Sequence, residues 1–404
     1  MKVLQINAVY KNGGSTGRIV YDLKGISEQL GIESYVAFGY EYQRTHDKNT
    51  YKIESIPELK FSILETRMFG RHGFYNIGST QKLIRWISAI KPDLIHLHNL
   101  HCHYMNVDIL FNYIKEQKIP VVWTLHDCWS FTGWCAHFDY AGCEKWKTHC
   151  DKCELKHSYP FTWFFDRSSE LYDKKKKAFC GVDNLTIVTP SQWLANKVKD
   201  SYLRNYPVRV INNGIDLNIF KPTNSSFRKD YNLEGQKIVL AIANGFTKNK
   251  GIDFILKLPE NLPATYTVMI VGANPAQCKG FNGIVIERTN DTRELAKIYS
   301  AADVFINPTL EDTFPTTNLE SLACGTPVIT YQTGGSPESI ITYTGIVVEK
   351  GNEKEFIHAI LDIVKDDTIS YACRNHALQS FDKKERYNDY INLYKTIIND
   401  NQTR

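Results

Sequence analysis

Apolar residues along this chain fall into two alternating rhythms. Short unbroken runs rich in Val, Ile and Leu are separated by longer stretches in which apolar positions follow a helical period. Val3-Leu4-Gln5-Ile6-Asn7-Ala8-Val9 is the first run and predicts a buried strand. A glycine turn follows, then a helical period from about Gly17 to Leu30 and a strand over Ser34–Phe38. The same alternation predicts helices over Leu83–Ile90 and Val107–Lys115, and strands over Asp93–Leu97 and Pro120–Leu125. Leu185–Thr189 and Val208–Ile211 close this series, and the turn-rich Asn212–Asp216 reads as a hinge. A second series opens at Lys237–Ala241 and continues through Tyr266–Val271, Gly283–Glu287, Asp303–Asn307, Pro327–Tyr331 and Gly345–Val348.

Strands that alternate with helices and are apolar throughout predict parallel sheets covered on both faces. The expected fold class is α/β: two Rossmann-like, doubly wound parallel-sheet domains facing across a cleft. The expected boundaries are 1–207, with a Cys-rich insertion over about 128–160, then 208–383, and a final helix over 384–404 that packs back on the first domain. The length of 404 residues agrees with two or three domains of ~150 residues each. No repeat or low-complexity segment appears.

Composition removes several alternatives. Hydrophobic residues make up 43% and charged residues 23%, which excludes disorder as the main state. A net charge of +4 is too small for nucleic-acid binding by bulk charge, so no nucleic-acid partner is expected. Aromatics at 12% suit a carbohydrate or other amphipathic partner. No uncharged run approaches the ~20 residues needed to span a bilayer. The stretch Met1–Tyr10 lacks the h-region and cleavage site of a signal peptide, so a cytoplasmic location is expected. In a reducing compartment the ten cysteines read as free thiols or metal ligands rather than disulfides.

Ligands of such sheets bind at the carboxyl ends of the strands, so the loops there are where chemistry is expected. Gly13-Gly14-Ser15-Thr16-Gly17 follows the first strand and opens a helix. Glycines there let backbone N–H groups approach an anion at the positive end of the helix dipole; an ordinary strand–helix turn is the plainer reading. The loop is not a G-x-G-x-x-G fingerprint, and no acid directly ends the second strand, which weighs against an oxidoreductase. The most informative stretch is Asn307–Pro327. There a strand ends at Pro308, a loop carries Glu311 and Asp312, and a helix begins near Thr316 and carries Glu320. Asp312 capping that helix is the plainer reading.

The spacing of Asp312 and Glu320 resembles the acid-x7-Glu motif of glycosyltransferase family 4, whose members are retaining enzymes of the GT-B fold. The usual first acid there is Glu; this chain has Asp312, one methylene shorter. The resemblance implies that Asp312 holds hydroxyls of a donor sugar and Glu320 the nucleotide ribose. Phe314 and the backbone N–H groups of Thr316 and Thr317 would meet the donor beside them. Val210–Asp216 with Phe220-Lys221-Pro222 matches the family's hinge, and Glu294–Asp303 its helix before the motif. Arg288 and Thr289 lie where the family contacts the base. Thr247–Asp253 resembles the family's Arg-x(4–5)-Lys-Gly element: Lys250 matches the Lys, Asn244 and Gly245 stand where the Arg is expected, and Lys248 is the candidate replacement. Leu125-His126-Asp127 matches the family's active-site His, so His126 would contact the donor sugar near the reacting carbon. The resemblance covers nearly the whole chain, and the Cys-rich region is similar to glycosyltransferases of colanic-acid and related surface-polysaccharide clusters.

By that resemblance the chain is expected to move a hexose from a nucleotide sugar, with UDP as carrier, to a glycan acceptor of the lipid-linked kind, with retention. The catalytic set is His126, Asp312 and Lys250. Gly13, Gly14, Lys248, Lys250, Arg288, Thr289, Asp312, Phe314, Thr316, Thr317 and Glu320 form the donor set. No D-x-D pair occurs, so no metal clamp and no catalytic cofactor is expected, and Lys250, helix N-termini and the Gly13-Gly14 backbone would meet the leaving diphosphate. A nucleotide-sugar epimerase of the same fold and a non-catalytic glycan-binding relative are the competing classes.

Two features lie outside that set. Cys135, Cys143, Cys150 and Cys153 form a local cluster that reads as a structural zinc site or as free buried thiols, with Cys128, His137 and His149 as spare ligands. Tyr159–Phe165 and Lys174–Lys177 put aromatics beside cations, as suits peripheral contact with anionic lipid at the inner face of the plasma membrane. Core aromatics and a solvated helix face are the alternative.

Overall fold

The computed structural model describes residues 1–11, 14–40, 47–289, 291–363 and 365–402. The chain divides into two compact units. Met1–Ile211 with Tyr387–Arg404 is one, and Asn212–Arg386 is the other.

The first unit is built on a parallel sheet of seven strands: β1 (Lys2–Val9), β2 (Glu33–Tyr40), β3 (Thr50–Lys52), β4 (Leu94–Leu97), β5 (Val121–Thr124), β6 (Leu185–Thr189) and β7 (Val208–Val210). Their order is β3-β2-β1-β4-β5-β6-β7, so the chain reverses direction across the sheet between β1 and β4. Val3 pairs with Leu94 and Ile6 with Leu97 at that switch. Both faces are covered, which is why β1, β4 and β5 are buried at nearly every position. On one face Val3, Leu94, Val122 and Val188 pack with Tyr387, Tyr390, Ile391 and Tyr394 of the terminal helix Lys383–Gln402. On the other, Leu4, Ile6, Ile95, Trp123 and Ile187 join Phe111, Phe131, Trp146 and Phe179.

The second unit is a six-stranded parallel sheet: β8 (Lys237–Ile242), β9 (Tyr266–Val271), β10 (Ile284–Ile286), β11 (Val304–Asn307), β12 (Val328–Tyr331) and β13 (Gly345–Val348). Its order is β10-β9-β8-β11-β12-β13, with the reversal between β8 and β11. Successive residues of one strand serve opposite cores. Ile238 and Leu240 pack with Phe305, Leu319 and Leu322, whereas Val239 and Ala241 pack with Ile306, Ile329 and Phe356. Each sheet is thus doubly wound, as the apolar runs predict, and each offers a crevice at its own switch point. Among the described residues, no helix is long and apolar enough to cross a membrane.

Candidate functional site

In the second unit the loops after β8 and β11 are neighbours because those strands flank the switch. Backbone hydrogen bonding ties them together: Leu310 N–H donates to the Asn249 carbonyl at 2.8 Å. This brings the Lys250 ammonium to 2.6 Å from the Asp312 carboxylate, across 62 residues of sequence. Lys250 is 36% exposed and Asp312 19%, so the pair stands at the rim of the crevice rather than in the core. The other Asp312 oxygen accepts the Phe314 N–H at 3.2 Å, and the Asp312 carbonyl accepts the Gly335 N–H at 3.0 Å. Asp312 therefore does not cap the following helix, Thr316–Ala323, whose N-cap is Pro315 without a side-chain cap. The first N–H groups of that helix, on Thr316 and Thr317, lie just beyond it.

Glu320 sits within that helix, and its carboxylate accepts the Tyr299 hydroxyl at 3.0 Å. Asn318, fully buried two residues earlier, ties the helix to β11: Asn307 donates to Asn318 at 2.9 Å, and Asn318 to Ser339 at 3.0 Å. Phe314 is buried in the core beneath the loop. Lys248 is exposed on the single turn Lys248–Lys250. Arg288 and Thr289 follow β10, two strands from β8, where the Thr289 hydroxyl pairs with the Glu294 carboxylate. The structure thus joins Lys250 to Asp312 and Glu320 to Tyr299, while Arg288 and Thr289 stand further along the sheet edge. Tyr299 was not legible as a site residue, because it lies on the apolar-periodic helix Thr292–Ala301.

The first unit's switch is of another kind. Gly14 is the N-cap of the helix Ser15–Gln29, at a φ of 87°; Gly13 lies outside the described residues. Around the ends of β4 and β5 stands a buried network of histidines. His96 bridges the Tyr394 hydroxyl at 2.6 Å and the Thr124 hydroxyl at 2.7 Å. His98 Nδ1 is 3.1 Å from His126 Nε2, with the two rings stacked. Burial lowers the His126 pKa to about 4 and drives His96 and His98 well below the ordinary imidazole value. His101 behaves oppositely. Burial disfavours its charge, but the Asp127 carboxylate at 2.7 Å, with Cys102, more than offsets this and raises it to about 10. Burial likewise pushes Asp127 up, and His101 outweighs it, holding the carboxyl well below the usual carboxylate range. Asp127 also accepts the Trp129 N–H at 2.9 Å, which fixes the turn that carries His126. The sequence signal for this cluster was His96, His98, His101 and His103 crowded at one strand end.

The four clustered cysteines line one small cavity with Trp134, Trp146 and Leu155. All ten cysteines of the chain are free thiols. Cys135 is pushed up by its hydrogen bond to the Cys153 sulfur and by burial, and the same bond pulls Cys153 down. Cys150 accepts the Gly133 N–H at 3.2 Å. Among the described residues, no group of three or more His, Cys, Asp or Glu side chains is disposed to hold a metal ion. The lysine run is not one solvated face. Lys175 is fully buried, donating to the Trp129 carbonyl at 2.6 Å with its ammonium over the Trp129 ring, and Lys174 pairs with Glu170 at 2.9 Å.

Comparison with known proteins places this architecture among glycosyltransferases of the GT-B fold. The model "Glycosyltransferase Family 4" matches residues 16–219, and "Glycosyl transferases group 1" matches residues 236–366. The chain belongs to glycosyltransferase family 4. It is similar to a protein of Escherichia coli (strain K12) provisionally described as the colanic acid biosynthesis glycosyl transferase WcaC. The two are 25% identical, and the alignment covers 98% of this chain and 100% of that one. Among solved structures it is similar to sucrose-phosphate synthase from Thermosynechococcus elongatus, with a TM-score of 0.71, 16% identity and coverage of 98% and 99% of the two chains. Anabaena HepE in complex with UDP-glucose gives a TM-score of 0.67 at 15% identity, covering 98% of this chain and 100% of that one.

Proposed function

We propose that this enzyme transfers a hexosyl unit, with retention, from a UDP-sugar to a lipid-linked glycan in the synthesis of a surface polysaccharide. The observation that carries the reading is the Lys250–Asp312 pair at the β8/β11 switch point. A cation and an acid so placed suit the two ends of one donor. Lys250 draws negative charge from the leaving diphosphate, and Asp312 accepts hydrogen bonds from sugar hydroxyls. Glu320, oriented by Tyr299, takes the ribose hydroxyls, and Thr316 and Thr317 offer backbone N–H groups to the phosphates. His126 contacts the sugar near its anomeric carbon. The departing phosphate oxygen accepts the acceptor's proton on the face it leaves, so the site supplies position and charge stabilisation rather than a strong base. The likeness to the colanic acid transferase supports the polysaccharide context, and the fold shared with a protein that binds UDP-glucose supports the donor.

A thermal-shift screen of UDP-, GDP- and ADP-sugars tests this, because a ligand that binds only the native state raises apparent stability. UDP-sugars are expected to give the largest shift, reduced in Asp312→Asn and Glu320→Gln. UDP release is expected only with acceptor present. Release without acceptor, or full activity in His126→Ala, contradicts the reading.

A further inference from the structure

The helix Ile56–Phe69 of the first unit turns small polar side chains inward and leaves large apolar ones exposed. The residues it buries are Ser62 and Thr66. They are satisfied there: Ser62 donates to the Glu58 carbonyl at 3.0 Å and accepts from Asn76, and Thr66 meets His103 at 3.0 Å. At ~100° per residue, Phe61, Leu64 and Met68 then share one narrow stripe on the opposite face. They are 62%, 43% and 37% exposed. The loop Thr162–Arg167 continues the stripe, since Trp163 N–H donates to the Arg67 carbonyl at 2.8 Å. Trp163, Phe164 and Phe165 on that loop are 43%, 65% and 47% exposed. Isolated exposed apolar residues are ordinary; a helix stripe joined to three aromatics is a binding surface.

The charges around it have a sign. Lys60 and Arg67 flank the stripe on one side; Arg67 lies over the Trp163 ring and Arg167 over Phe165. The nearby acids are largely engaged: Glu58 accepts from Ser55, Asp166 from the Cys153 and Ser168 N–H groups, and Glu170 pairs with Arg71, Arg167 and Lys174. Glu65 stands half-buried on the other flank. We infer that this stripe and loop dock on the headgroup region of a bilayer containing anionic phospholipid, with the apolar side chains entering the interface and Lys60 and Arg67 meeting lipid phosphates. Such docking presupposes the lipid-linked acceptor proposed above, whose chain it brings to the enzyme.

Flotation of the full chain with vesicles of phosphatidylcholine, with and without phosphatidylglycerol, tests this. Binding is expected only to the phosphatidylglycerol vesicles. Phe61→Ser with Phe164→Ser should lower the bound fraction at least about tenfold, since two large apolar side chains no longer leave water. Lys60→Glu with Arg67→Glu should remove the preference for anionic lipid. All four substitutions lie at exposed positions, so the melting temperature and the shift produced by UDP-sugar should be those of the parent chain. That readout separates failure of the docking from failure of the donor site. Binding independent of anionic lipid, no flotation at all, or a dimer in solution dispersed by Phe61→Ser with Phe164→Ser would each overturn the inference.

Discussion

At the ends of β4 and β5 in the first unit, most of the polar groups are imidazoles and hydroxyls shut away from water. At the ends of β8 and β11 in the second, they are a lysine and carboxylates left at the rim. Topology puts polar chemistry at the switch of both sheets, but burial decides what it becomes. A buried imidazole sheds its proton and acts as a strut, as His96 does between Tyr394 and Thr124. The Lys250–Asp312 pair is part-exposed, and such a pair is worth only ~0–1 kcal/mol. Lys250 can therefore leave Asp312 at little cost, as the proposed diphosphate contact requires. The first unit is built to hold its shape, and the second to change partners.

Acid separates the two most sharply. His103 and His126 are lowered to about 4, and His72, His96 and His98 lie well below their ordinary value, all through burial. Unfolded, these five take up protons below about pH 6.5 that the folded unit refuses. Their contribution is thus complete above pH 6.5 and is lost as pH falls toward 4. Two carboxyl groups oppose them: burial raises Glu54 to about 8 and pushes Glu65 above its ordinary value, which favours the folded state as pH falls toward about 4.5. Among the described histidines of the second unit, only His376 is similarly lowered. Each tenfold change in a group's proton affinity is worth ~1.4 kcal/mol, so the first unit should lose several kcal/mol between pH 6.5 and 4.5. Hydrogen exchange on the whole chain, corrected for intrinsic rates, should show protection falling around β4 and β5 before β8 and β11. Equal loss in both would erase the contrast.

The second test removes the mobile partner. A preorganised contact to a leaving group is worth ~3–4 kcal/mol, so Lys250→Ala should lower kcat roughly a hundredfold or more. Stability should hardly change, since only a part-exposed ion pair is lost. Unchanged steady-state kinetics would remove Lys250 from the diphosphate site.

The strands were legible because both faces of each sheet are covered, so apolar runs such as Val3–Val9 and Lys237–Ala241 needed no interpretation of facing. Asp312, Glu320 and Lys250 were visible as candidates through their motifs. Their partners were not. The Lys250–Asp312 pair spans 62 residues and follows from strand order, which periodicity does not report. His101 and Asp127 meet in the same way, from the loops after two neighbouring strands. The helix Ile56–Phe69 was missed because its apolar residues, Ile56, Leu59, Phe61, Ile63, Leu64, Met68 and Phe69, are spread all round it and leave no helical period. Lys175 read as part of a basic face because sequence cannot show that a carbonyl and an indole wait for it inside.

The smallest effects concern two glycines, and they ask whether the glycine-rich loop of the first unit or the loop packing of the second is the more tightly built. Gly334 has a φ of 55°, and a Cβ there would lie 1.7 Å from the Asp312 carbonyl oxygen, with backbone on both sides of the clash. Neither strand of chain has a flexible end that could yield. Gly334→Ala must push the Asp312 loop away, separate it from Gly335 N–H, and displace the carboxylate from Lys250. The expected result is about 3 kcal/mol of lost stability, from φ strain plus overpacking, with a fall in donor affinity. Gly14 has a φ of 87°, but a Cβ there meets nothing within 4 Å. Gly14→Ala should therefore cost only the strain of an extended, positive-φ backbone that is essentially confined to glycine, on the order of 1–3 kcal/mol, and its N–H remains in place for an anion. Chemical denaturation compares the two directly. If Gly14→Ala proves the more damaging, the first unit's loop is held by contacts beyond its own backbone, and in the second unit the Asp312 backbone yields along with its side-chain pair to Lys250.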